Sequence, residues 1–243
     1  MRRPTLVPVP DLLAAALLAL AAATAATGLA LIWVARLGAD RFLYVSEMGA
    51  PEEPTAGIFQ VAMVLVSLSA LVVALIAPRL DPKVRWLAVV PSSIVLGVAA
   101  VCFGIASQVT CTRYCPLPVG DRFTWQDLIH TGCAVIGFAA AAFVMLQAAV
   151  DRRLARLARF SLVAAIVVAV IAGLGGLLSL LRFATELGGV LELVATTVAL
   201  SWLVGLAAFQ AVDRAAAARG SAPPAREPDL EPHRDTATES AAA

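Results

Sequence analysis

Five polar residues in an otherwise apolar chain have types that could do chemistry: Ser46, Gln60, Asp127, His130 and Glu192. A serine hydroxyl, an imidazole and a carboxylate are the nucleophile, base and orienting acid of a hydrolase. The same groups, set among apolar walls, are also what a pocket uses to hold the polar head of a lipid or small amphiphile. Asp127 and His130 are three residues apart and share one face of a helix. Glu192 is flanked by Val190, Leu191, Leu193 and Val194, surroundings that penalise a carboxylate without a purpose. Each residue also has a plain structural role open to it. Asp127 suits the first turn of a helix, where the dipole favours negative charge. His130 can be satisfied by a neighbouring helix, and Glu192 can pair with Arg182 or His130.

The context of these residues weighs against catalysis. Ser46 stands in Tyr44-Val45-Ser46-Glu47-Met48 and lacks the Gly-x-Ser-x-Gly setting of a nucleophile elbow. A catalytic zinc takes three protein ligands, and the second histidine, His233, lies in a polar tail. The expectation is a binding pocket formed by Ser46, Gln60, Asp127, His130 and Glu192, with no catalytic residue, metal or cofactor assigned. The alternatives are an intramembrane lipid hydrolase using Ser46, His130 and an acid, and a proton-coupled transporter in which Glu192 titrates. The transporter is disfavoured because Glu192 lies only about 7 Å below the outer end of its helix, far from the midplane.

Six apolar runs must position these residues: 12–34, 55–77, 86–108, 127–150, 161–181 and 188–211. A helix needs about 20 residues to cross a hydrocarbon core of about 30 Å. With 60% hydrophobic and 14% charged residues, the composition excludes an ordinary soluble domain. The fold class is all-α: a polytopic membrane protein, a bundle of six transmembrane helices. The expected organisation is an N-terminal segment over 1–11, a membrane domain over 12–213 and a disordered tail over 214–243, where Ala, Pro, Ser and mixed charge take over.

Charge placement orients the bundle. If the helices alternate, Arg2, Arg3, Arg79, Lys83, Arg85, Arg152, Arg153, Arg156, Arg159, Arg214, Arg219, Arg226 and Arg234 fall on one side, thirteen of eighteen basic residues. Cytoplasmic loops carry the excess of Lys and Arg, so both termini are expected in the cytoplasm, the chain crossing the membrane several times. The basic residues are orientation signals, and nucleic acid is not an expected partner; membrane lipids are. Two arginines and small residues at Ala22-Ala23-Thr24-Ala25 also fit a cleavable signal peptide. The apolar stretch continues through Val34, well past a usual signal core, and is read as a retained first helix.

Cys111 and Cys115 fall in the third loop, on the side expected to face an oxidising compartment, and are expected to form a disulfide. Cys102 and Cys133 lie within helices as small packing residues. Gly173, Gly175 and Gly176 are expected to let the fifth helix approach a neighbour, and Pro91 to kink the third. Trp33, Trp86 and Trp125 lie near helix ends, where indoles favour the membrane interface.

The stretch Tyr44-Val45-Ser46-Glu47-Met48-Gly49, followed by Pro51, Glu52, Glu53 and Gly57-Ile58-Phe59, resembles the first outer loop of the DRAM/Sfk-type membrane proteins and of the related bacterial domain-of-unknown-function 998 family. The fourth helix is similar in His130, Ala134, Phe138 and Leu146-Gln147. Glu192 matches a Glu-Trp position of the eukaryotic members, with Leu193 here in place of tryptophan. The resemblance spans residues 12–213 and is closer to the bacterial family. It implies a six-helix integral membrane protein in which Ser46, His130 and Glu192 belong to one site; it implies no reaction.

Overall fold

The computed structural model describes residues 9–77, 79–113, 115–116, 123–181, 183 and 185–220. The sequence calls on Arg2, Arg3, Arg122, Arg182, Arg226, Arg234 and His233, and the tail from 221, lie outside these residues. Six α-helices follow one another: α1 Asp11–Leu37, α2 Ala56–Ile76, α3 Ser92–Gln108, α4 Trp125–Ala149, α5 Ala155–Leu180 and α6 Thr185–Gly220. A one-turn 3-10 helix, Ser46–Gly49, interrupts the connection from α1 to α2. α6 runs to Gly220, so residues 214–220 of the expected disordered tail are helical.

Five of the six are long and apolar enough to cross a membrane; α3, with 17 residues, is shorter. The expected third run began at Trp86, and Pro91 was to kink it. Instead, Pro91 immediately precedes the helix, with φ −58° and ψ 133°. Proline has no N–H to donate and pushes the residue before it out of the helical region, so a helix starts after it more readily than it continues through it. Residues 84–90 form turns, with Leu87 N–H bonded to Val84 and Ala88 N–H to Arg85.

Each helix packs on its neighbours in sequence, and α6 closes back on α1, giving a ring of six. Close approach requires glycine at Gly28 on α1, where a Cβ would lie 2.8 Å from Val66 Cγ2 and 3.0 Å from the Ala62 carbonyl on α2. Of the three α5 glycines, Gly175 alone faces a neighbour, where a Cβ would lie 3.4 Å from Leu191 Cβ; a Cβ at Gly173 or Gly176 would meet nothing within 4 Å. Outward faces carry exposed apolar side chains such as Leu75, Val135 and Val163. A belt of this kind suits lipid and not water. The chain is a multi-pass integral membrane protein.

The bundle has two distinct ends. At one, Arg214 near the end of α6 meets Asp11 at the start of α1 at 2.6 Å, so the first and last helices begin and end on the same face. The α2–α3 and α4–α5 connections join there too: Lys83 N–H bonds to Val150 O, Arg152 N–H to Asp81 O, and Asp81 N–H to the Asp151 carboxylate. Gln147 on α4 reaches the same loop, donating to the Leu87 and Val90 carbonyls at 2.7 and 2.8 Å. The opposite end is capped by the α1–α2 and α3–α4 connections and the start of α6.

Candidate functional site

The capped end is assembled from the loop that follows α1. A Cβ at Gly189 of α6 would lie 2.9 Å from the Phe42 ring and 3.1 Å from the Leu43 carbonyl, so this glycine lets the loop lie directly on the helix. One turn further along α6, the Glu192 carboxylate accepts from Val45 N–H at 2.9 Å and from Ser46 N–H at 3.3 Å, with the Ser46 hydroxyl at 3.4 Å. Those N–H groups open the 3-10 helix, where backbone donors have no partner of their own. On the outer side of the same loop, Arg41 pairs with Glu47 at 2.6 Å and Glu53 at 2.7 Å. The hydrogen bond it donates to Glu47 is the main reason the guanidinium is held above its ordinary pKa.

His130 is positioned by the end of α3. Its Nδ1 lies 2.8 Å from the Val109 carbonyl and 3.1 Å from that of Ala106. Carbonyls only accept, so Nδ1 carries the proton, and the neutral ring presents Nε2 as an acceptor. Nε2 is buried with no hydrogen-bond partner. The histidine therefore satisfies two orphan carbonyls of a helix end and leaves one nitrogen over.

Asp127 has a different role. Thr124 caps α4 by accepting from Asp127 N–H at 3.0 Å. The Asp127 carboxylate accepts from Thr112 N–H at 2.8 Å and from the hydroxyls of Thr112 and Thr124. It is fully buried and pins the α3–α4 connection onto the helix start.

Between α2, α3, α4 and α6 runs a cavity with about 820 Å³ of empty space, including its open mouth. Ser46, His130 and Glu192 line one end of it, as does Thr196, one turn from Glu192. The other walls are apolar: Phe59, Met63 and Val66 from α2, Phe103 from α3, Phe138 and Met145 from α4, Leu200 and Trp202 from α6. From His130 to Met145 the α4 wall extends about 22 Å at 1.5 Å per residue. Phe103 and Phe138 meet edge to face across it, with centroids 5.4 Å apart. Trp202, buried, donates its indole N–H to Ser161 of α5 at 2.9 Å.

Three of the five residues singled out in the sequence thus share one cavity. Gln60 and Asp127 do not line it: Gln60 is exposed on α2, and Asp127 is held in the helix cap. Thr196 was missed. Its hydroxyl is buried without a partner, and its spacing of four from Glu192 was the available signal.

Cys111 and Cys115 have their sulfurs at disulfide distance, with Cα atoms 5.1 Å apart. The Cys111 sulfur lies 3.4 Å from the Ser46 carbonyl, so the pair braces the α1–α2 loop from the side. A ring nitrogen of His130 and the two sulfurs lie within 4.8 Å of one another. Joined as a disulfide, the cysteines offer no thiolate, the form in which cysteine ligates a metal. Cys102 and Cys133, on adjacent helices, are half-buried free thiols.

Comparison with protein families, with curated proteins and with solved structures finds no match.

Proposed function

We propose that the chain is a bacterial plasma-membrane protein, its termini cytoplasmic, whose outward-facing cavity binds a membrane lipid or small amphiphile. On this reading it is a member of the domain-of-unknown-function 998 type. The observation that carries the proposal is the shape and polarity of the cavity. One end gathers Ser46, His130, Thr196 and Glu192, and the remaining length is walled by aliphatic and aromatic side chains. Apolar walls with a few convergent polar groups are the usual make-up of a ligand site. The basic face opposite supports the orientation, because it gathers Arg79, Lys83, Arg85, Arg152, Arg153, Arg156, Arg159, Arg214 and Arg219.

The hydrolase reading is weaker for a specific reason. The Ser46 hydroxyl is directed at Glu192, and among the described residues no hydrogen bond joins it to His130. A nucleophile needs its base within reach.

The test is identification of co-purifying lipids by mass spectrometry in wild type and in Ala199→Phe, which fills the cavity wall. A lipid enriched in wild type, reduced at least about tenfold in the variant and unchanged over hours with added lipid extract, supports binding. Equal lipid in both proteins overturns it. Steady conversion to a defined product, abolished by Ser46→Ala, would replace binding by hydrolysis.

A further inference from the structure

The polar end of the cavity has a chemical bias. The Glu192 oxygens are already engaged by the Val45 and Ser46 donors. His130 Nε2 is an acceptor in the neutral ring, buried and unpartnered. The Thr196 hydroxyl, also buried and unpartnered, both donates and accepts. Among the described residues lining the cavity there is no lysine or arginine. Arg41 of the cap is bonded to Glu47 and Glu53.

A phosphate or carboxylate head would bring acceptor oxygens to the His130 Nε2 acceptor, and negative charge to a lining that holds no lysine or arginine among the described residues. Burying an anion with no cation to pair with it is costly. A hydroxyl head would instead donate to His130 Nε2 and exchange hydrogen bonds with Thr196, satisfying two buried atoms that otherwise lack partners. We infer that the cavity selects an uncharged, hydroxyl-headed amphiphile, such as a monoacyl or diacyl glycerol or a long-chain alcohol, and rejects anionic phospholipids. This deepens, and rests on, the reading of the cavity as an amphiphile site.

Trp202, on the cavity wall, is a built-in reporter. In a Trp33→Phe, Trp86→Phe, Trp125→Phe protein it is the sole indole, and a bromine on an acyl chain entering the cavity quenches it. Three probes with the same brominated chain isolate the head: a monoacylglycerol, its glycerol-phosphate counterpart and the methyl ester. The expected order is monoacylglycerol first, the ester weaker for want of a donor, and the phosphate weakest by at least about tenfold, equivalent to about 1.4 kcal/mol. Thr196→Val should erase the advantage of the monoacylglycerol over the ester while leaving quenching by the ester intact. A phosphate that quenches as well as the monoacylglycerol overturns the head-group inference and leaves the cavity reading standing. So does a Thr196→Val protein that still prefers the monoacylglycerol. Failure of all three probes to quench overturns the cavity reading and this inference with it.

Discussion

At the scale of single residues, the carboxylates act first as fasteners. Replacing Glu192 by Leu removes the acceptor for the Val45 and Ser46 N–H groups. Each buried donor left unsatisfied costs roughly 1–3 kcal/mol, so a clear fall in the thermal unfolding midpoint in detergent is expected. Glu192→Gln keeps an amide oxygen for these donors and should fall by less than half as much. An equal fall in both variants would mean that charge, and not hydrogen bonding, holds the loop. The layer of polar residues at the capped end was legible in the sequence because hydrocarbon makes such groups conspicuous. Which of them face inward was not. Phe59, Met63 and Val66 of α2 line the cavity, and Gln60, one residue from Phe59, is rotated about 100° away from that face. Asp127 shares a face with His130 but is consumed by Thr112 and Thr124, partners that only the folded α3–α4 connection supplies.

At the scale of elements, five of the six runs were legible from length and hydropathy alone, since bilayer thickness sets both. The exception is instructive: apolar residues 86–90 extend the third run, but Pro91 makes them turns and leaves 17 helical residues. Hydropathy does not distinguish an apolar turn from an apolar helix. Helix contacts yield a paired prediction at glycine. Gly28→Leu would drive a side chain into Val66 and the Ala62 carbonyl, and backbone cannot yield cheaply, so a loss of about 1–3 kcal/mol is expected. Gly176→Ala, with open space around it, should be neutral or stabilising by up to about 1 kcal/mol. Unfolding midpoints of the two variants check the pair, and comparable losses would refute the contact assignment. The α3–α4 connection gives a third test. A membrane-impermeant maleimide should label Cys111 and Cys115 in intact cells only after reduction; labelling without reductant would show the thiols free.

At the scale of the whole molecule, the ring closure of α6 on α1 puts the start of α1 and the end of α6 on one face, a result anticipated by the even number of runs. The charge asymmetry is the ground on which that face is proposed to be cytoplasmic. A reporter fused after Ala243 that is active only in the cytoplasm should be active, and activity only with an exported reporter would invert the assignment. The cavity itself was less legible than the bundle, because a gap inside a ring depends on how far small residues such as Ala99, Ala134, Ala141 and Ala199 draw the walls together. Composition records that alanine is abundant, not which alanines meet. The central claim is that an acyl chain occupies this gap, and photocrosslinking tests it most directly. A monoacylglycerol with a diazirine at the end of its chain should label peptides containing Met145 and Trp202, and Ala199→Phe should abolish that labelling. Labelling confined to outward residues such as Leu75 and Val163, and indifferent to Ala199→Phe, would contradict it.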